Sequence, residues 1–463
     1  MLTSPDFAEL RAREFARLDL KNIAYLDYTG AALHAASQVQ DHHAALLNDV
    51  YGNPHADHDP SRASDMVTEA ARADVLALLG VDDRTHAVIF TANASAAIKL
   101  VAESFAFTSE TPLILAADNH NSVNGIREYA RRAGAPVVTL PLDATLRLDH
   151  PADRLDEAGH RAPGLLAFPA QSNFSGVQHD LALVAAARRR GCLVLLDAAA
   201  FLPTNALDLR QVPADFVALS FYKLFGYPTG IGALVARLDA LSRLTRPWFS
   251  GGTVDFVSIA HDRHQLRRGH ASFEDGTPDF LGMSAVSGGL RFLTGLGIDA
   301  IHRHTCVHAH AFLNAITHLS HANGSPLVEV YGPDCADDRG ATVAFNVKDD
   351  AGRTVPYPLV ERRAGDFGVA LRGGCFCNPG AAEAAFRFDA AETARCLTAV
   401  GDDFTIQRFA SCLGDFSTVG ALRVSFGVPT NARDVTRAIA LVESFRMGSR
   451  RSRGNQGHHD EHE

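Results

Sequence analysis

The sequence predicts an α/β fold: a large domain with a mainly parallel, seven-stranded sheet flanked by helices, then a smaller C-terminal α/β domain. Three observations predict it. Short apolar runs alternate with helical periodicity through the first half of the chain, the pattern of a doubly wound sheet. Past about residue 263 the texture changes to long helical stretches with few strands. With 463 residues, 46% hydrophobic and 21% charged, the chain has length for roughly two to three domains and enough apolar residues for their cores.

The elements follow in order. Residues 1–65 read as an irregular N-terminal segment packing on the small domain, with a His-rich loop over 52–60. The large domain, 66–289, opens on the helical spacing of Ser64–Leu79. Strands are expected at His86–Phe90, Pro112–Ala116, Val137–Leu140, Leu165–Phe168, Leu193–Leu196, Phe216–Ser220 and Gly230–Ala236. Short continuous apolar runs of this kind suit strands buried on both faces. Helical stretches at Ala94–Phe105, Ser122–Ala133 and Leu181–Arg190 lie between them. Helices at Leu281–Gly295 and Asp299–Ser320 lead into the small domain, 290–447, whose strands are Thr342–Val347 and Ala421–Phe426 across a turn-rich section. Residues 448–463 have no apolar face and read as a disordered tail.

Charge and cysteine usage exclude several classes. Lys plus Arg is 43 against Asp plus Glu 53, a formal charge of -10, which speaks against a nucleic-acid partner. No run approaches ~18 uninterrupted apolar residues, so no membrane span is expected. Asp6, Glu9, Arg11, Arg13 and Glu14 interrupt the N-terminus, which is no signal peptide. Seven scattered cysteines without a signal read as reduced thiols in a cytoplasmic protein. A lone Cys-x-Cys is a poor zinc site, and no metal is expected; His458, His459 and His462 belong to the tail.

The most informative segment runs from Asp215 to Leu234. An apolar strand ends at Ser220, and Lys223 follows in a turn bracketed by Gly226, Pro228, Gly230 and Gly232. Apolar flanks desolvate an ammonium, which makes a lysine amine nucleophilic and ready for a Schiff base; pyridoxal phosphate is the usual aldehyde. A surface lysine in a Gly-rich turn reads the same way. Upstream, the strand ending at Asp197 offers a carboxylate for a pyridine nitrogen, or merely a helix cap. Earlier still, Phe90-Thr-Ala-Asn-Ala-Ser-Ala-Ala97 leads a strand into a helix whose N-terminus suits a phosphate. Each signal is weak alone; their order favours the cofactor.

That order resembles the fold-type I pyridoxal phosphate enzymes of the class V aminotransferase and cysteine desulfurase family. Within it, the N-terminal desulfurase-like domain of molybdenum cofactor sulfurases is most similar. The resemblance rests on Leu196-Asp-Ala-Ala-Ala200, Ser220-Phe-Tyr-Lys-Leu-Phe-Gly226, Gly251-Gly-Thr-Val254, Phe273-Glu-Asp-Gly-Thr277, Leu371-Arg-Gly-Gly-Cys-Phe-Cys-Asn-Pro-Gly380 and Leu422-Arg-Val-Ser-Phe-Gly427. It implies that Lys223 holds the cofactor, Asp197 meets the pyridine nitrogen and His120 stacks on the ring. Asn173 would contact the cofactor or substrate, and Ser95 and Ser220 the phosphate. Thr253 would reach the phosphate of a neighbouring subunit, implying a homodimer. Arg423 would grip the substrate carboxylate.

Cys375 and Cys377 lie among Gly373, Gly374, Pro379 and Gly380, flanks that suggest a mobile loop; adjacent Arg372 would favour a thiolate and assist substrate binding. The resemblance makes Cys377 the nucleophile. The implied activity is a cysteine desulfurase acting on L-cysteine or a related amino acid, leaving alanine and a Cys377 persulfide for an unidentified acceptor. A C–S lyase, epimerase or aminotransferase of the same fold is the alternative. Two departures stand out: the cofactor-binding C-terminal domain of eukaryotic sulfurases is expected to be absent, and Ala381 and Ala382 occupy the region of a further cysteine.

Overall fold

The computed structural model describes residues 5–158, 163–334, 339–414 and 418–448; Cys335 and the expected tail beyond Gly448 fall outside these. A seven-stranded sheet forms the larger layer. By first residue, its strand order is His86, Gly232, Phe216, Leu193, Leu165, Leu113, Val137. All pairings are parallel except those of Gly232–Arg237, which runs antiparallel to both neighbours. Strands Leu113–Ala116, Leu165–Pro169, Leu193–Asp197 and Phe216–Ser220 are buried at every position, because helices cover both faces.

The period of two along each strand divides the core. Leu166, Phe168, Leu196 and Val217 pack toward helices Asp59–Leu78 and Met283–Leu296. Leu165, Ala167, Leu195 and Phe216 pack toward helix Ala94–Ser104. The helix expected over Ser122–Ala133 is interrupted at Gly125 into Asn121–Asn124 and Ile126–Arg132.

A second, antiparallel sheet has the order Val328–Tyr331, Thr342–Val347, Ala421–Ser425, Arg372–Gly374. Its core joins Phe312 of helix Ile298–Thr317, Phe345, Val360, Phe426 and Leu441.

Three expectations fail. The first 65 residues are not irregular: helices span Phe7–Glu14 and Ala36–Asn48, the first capped by Asp6, whose carboxylate accepts from the N–H groups of Ala8 and Glu9. The turn-rich stretch before Ala421 holds helices Tyr357–Asp366, Pro379–Phe386, Ala390–Val400 and Ile406–Leu413. In Ala390–Val400 only Cys396 is buried and in Ile406–Leu413 only Phe409, so neither helix buries a continuous apolar stripe. Those helices bring Cys396 and Cys412 into a disulfide, against the expectation of reduced thiols throughout. Among the described residues no helix is long and apolar enough to cross a membrane.

Candidate active site

The carboxyl ends of the central parallel strands converge on one cavity of about 190 Å³. Its lining includes Ser95, His120, Asn173, Asp197, Ser220 and Lys223, six residues singled out from sequence. Ligands in open α/β sheets sit beyond strand carboxyl ends, and the chain order places these side chains there.

Asp197 is the last residue of its strand, 9% exposed, with Oδ1 accepting from the N–H of Ala199 at 3.0 Å. Lys223 stands in the short helix Phe221–Phe225 rather than in the turn itself; Gly226 (φ 82°) ends that helix in the left-handed conformation. A side chain at Gly226 would strike the backbone of Ala32, Leu33 and His34, so the N-terminal segment packs directly against the lysine turn. Burial lowers the pKa of Lys223, opposed by the nearby Asp197 carboxylate, and favours a neutral amine.

His120 accepts at Nδ1 from the Ser122 N–H at 3.1 Å, which leaves the proton on Nε2 in the neutral ring. Burial, reinforced by Lys223, lowers its pKa and keeps the ring neutral. At the other end of the cavity, Asn93 caps helix Ala94–Ser104 by accepting from Ala96 N–H, and Ser220 Oγ accepts from Ala94 N–H at 2.9 Å. Ser95 bonds Ser122 hydroxyl to hydroxyl. Hydroxyls clustered at the N-terminus of an eleven-residue helix suit an anion.

The cysteine loop borders this cavity. Cys377 is exposed and Cys375 half-buried. Phe376 and Cys377 adopt φ of 55° and 56°, the left-handed region that side chains disfavour, at a cost of ~1–3 kcal/mol each. The loop is pinned rather than loose. Cys377 O accepts from Asn121 N–H at 2.7 Å, and Phe376 O accepts from Asn173 Nδ2 at 2.7 Å. Buried Asn378 donates to Asp118 O at 2.6 Å and to Asn173 Oδ1 at 2.9 Å. Phe376 packs on Phe174, ring centroids 5.4 Å apart, and lies under the Arg423 guanidinium at 4.6 Å. Cys377 lies close enough for its charge to act on both Lys223 and Arg372.

Arg423 is 2% exposed, donating from Nη1 to Asn173 O at 2.7 Å and from Nη2 to Asp27 Oδ1 at 3.0 Å. Desolvation pulls its pKa down to about 10. Arg372, half-exposed, also pairs with Asp27. Thr253 is not brought to this cavity: its side chain is fully buried, its hydroxyl donating to Ser250 O at 2.9 Å. Sequence reasoning missed Asp27, Asn378 and the buried contact between Asp118 and His179 at 2.8 Å. All three act on partners distant in the chain; Asn378 alone carries a local signal, as the Asn-Pro cap of helix Pro379–Phe386, and that signal says nothing of its distant partners.

The aminotransferase class-V family model matches residues 24–437. The chain is 36% identical to the molybdenum cofactor sulfurase of Solanum lycopersicum over 94% of its own length and 57% of that protein's, so it spans little more than half of that relative. Among solved structures it resembles an apo cysteine desulfurase of Thermococcus onnurineus (TM-score 0.80, 22% identity, 97% of this chain and 100% of that one). It also resembles a cysteine desulfurase of Escherichia coli (TM-score 0.73, 25% identity, 96% and 99%). The expected fold-type I architecture is therefore the observed one. A family match extending over both sheets and the cavity between Lys223 and the cysteine loop means that the chain belongs to the aminotransferase class-V family.

Proposed function

We propose that this protein is a pyridoxal phosphate-dependent cysteine desulfurase that converts L-cysteine to L-alanine, holds the sulfur on Cys377 and passes it to an acceptor. The observation that carries this reading is the pinning of the Cys377 loop to the rim of the Lys223 cavity, through Asn121, Asn173 and Asn378.

The donor set fits the cofactor. A buried carboxylate, a neutral imidazole and a desolvated lysine share one cavity with a hydroxyl-lined helix N-terminus. Asp197 would hold the pyridine nitrogen, His120 the ring face, and Ser95 and Ser220 the phosphate. Pyridoxal phosphate there supplies an aldehyde for amines and a ring that spreads negative charge from the substrate's α-carbon.

The remaining steps belong to the chain. Arg423 binds the substrate carboxylate and turns the α-proton toward Lys223. The Lys223 amine, whose charged form burial disfavours, takes that proton at Nζ. Asn173 ties the Arg423 guanidinium to the cysteine loop, so carboxylate and thiol are positioned together. The Cys377 thiolate then attacks the substrate sulfur. A sulfur–sulfur bond forms, the carbon–sulfur bond breaks, and its electron pair stays on the β-carbon, which takes a proton to become a methyl group; Lys223 Nζ returns its proton to the α-carbon to complete alanine.

The acceptor is a protein or small molecule able to attack a persulfide. We further propose a homodimer in which Thr253 serves the neighbouring subunit. Its place outside the lining of its own cavity supports this, as does the adjoining hairpin Val254–Leu266, where Phe256 is 65% and Ile259 90% exposed.

The test is to incubate cofactor-loaded protein and its Cys377→Ala variant with L-cysteine, counting alanine and protein-bound persulfide. The unsubstituted protein should yield both and the variant at least ~100-fold less alanine. Pyruvate and free sulfide formed equally by both proteins would mean a lyase.

A further inference from the structure

Charge balance beside the cavity carries a consequence for substrate choice. Arg372 and Arg423 are register partners on neighbouring antiparallel strands, so two guanidinium groups lie side by side. One carboxylate answers both. Asp27 Oδ1 accepts from Arg423 Nη2 at 3.0 Å, while its two oxygens accept from Arg372 Nε at 3.1 and 2.9 Å and Oδ2 from Arg372 Nη2 at 2.7 Å. The three groups leave a single formal positive charge.

The two arginines are engaged differently. Arg372 gives its Nε/Nη2 edge to Asp27 in the fork geometry that carboxylates favour. Arg423 spends Nη1 on Asn173 O and Nη2 on Asp27, but its buried Nε has no hydrogen-bond partner. A buried unpaired donor in a guanidinium is expensive unless an anion completes it. Local backbone holds this arrangement: the N–H groups of Gly30 and Ala31 both bond to Asp27 O, folding the chain over the carboxylate. A side chain at Gly30 would come within 2.6 Å of Asp27 Oδ2 and 2.8 Å of Arg372 Nη2.

We infer that Asp27 determines specificity: by clamping Arg372 it leaves the site one net positive charge, matched to an amino acid with a single carboxylate. An amino acid carrying a second acid group, such as a sulfinate or carboxylate in place of the thiol, finds Arg372 already engaged and meets the Asp27 charge besides. The inference rests on the proposed grip of Arg423 on the substrate carboxylate.

It is tested by binding, not turnover. Calorimetry on the cofactor-loaded protein would give dissociation constants for L-alanine and L-aspartate. In Asp27→Asn the preference for L-alanine over L-aspartate should shrink at least about tenfold. Asp27→Glu, which keeps the charge, should leave it unchanged, and Asp27→Asn with Arg372→Gln should restore it. A shrinkage below about tenfold in Asp27→Asn, or one that survives loss of Arg372, overturns the inference. Should Asp27→Asn not fold, Arg372→Gln alone decides: with the net charge gone, L-alanine must bind at least about tenfold more weakly, and unchanged binding overturns the idea. Absence of desulfuration would sink the proposed reaction while leaving these ratios measurable.

Discussion

The lysine cavity and the cysteine loop meet at one rim but are built in opposite ways. The cavity stands on strand ends buried at every position: Asp197 closes its own turn on Ala199 N–H, and Ser220 accepts from Ala94 N–H at the start of the neighbouring helix. The loop stands on a three-residue edge strand, Arg372–Gly374, and borrows its order from Asn121, Asn173 and Asn378. Two consecutive residues of the loop sit in strained backbone, whereas the flanking cavity strands are regular. The difference teaches a division of labour. Proton removal at a fixed carbon needs preorganisation, which a packed sheet provides. Sulfur capture needs an exposed thiol, and exposure is had only by stepping outside the sheet.

Substitutions can break this comparison at either side. The largest effect is expected for Lys223→Ala. It should lower alanine formation at least ~1000-fold and abolish covalent retention of pyridoxal phosphate, read from absorbance after gel filtration. Covalent cofactor in that variant would refute the cavity assignment.

Gly380→Ala comes next, on the loop side. A Cβ there would lie 2.1 Å from Ala117 O, so the loop must lift from the segment that carries His120. Persulfide formation should fall about 30-fold, with cofactor absorbance retained. Equal losses of both would show that loop and cavity are one unit.

Asn378→Ala should be milder. It removes the bonds to Asp118 O and Asn173 Oδ1 and the cap on Ala381 N–H, a loss of ~1–2 kcal/mol or about tenfold in sulfur transfer. Substrate binding, followed by calorimetry, should change less than turnover.

Legibility in the sequence divides along the same line. The strands could be read because each is a continuous apolar run whose burial is decided locally; Asp197 and Ser220 end such runs, whereas Lys223 is marked by its apolar flanks in a Gly-rich turn and His120 only by the family resemblance. Asp27 could not, because its meaning lies in two arginines on strands far along the chain. Nor could the helices Ala390–Val400 and Ile406–Leu413, which bury one residue each and lean on each other through the Cys396–Cys412 bridge. Thr253 lies outside the cavity of its own chain, its hydroxyl bonded to Ser250 O, and only a second subunit could give its motif the expected role. The mobile loop expected from its glycines is held by asparagines, because flanking composition says nothing of distant partners.

The anchors on either side of Cys377 also set how far its sulfur can travel. Phe376 is wedged between Phe174 and Arg423, Asn378 is tied to Asp118, and the Cys377 carbonyl itself accepts from Asn121 N–H, so only the cysteine side chain is left to move between fixed points. A residue spans about 3.5 Å at full extension, and a thiol so tethered sweeps an arc of that order. In the proposed reaction, delivery would then fall to the acceptor, whose attacking atom would have to come to the mouth of the cavity on a projection slender enough to enter beside Arg372.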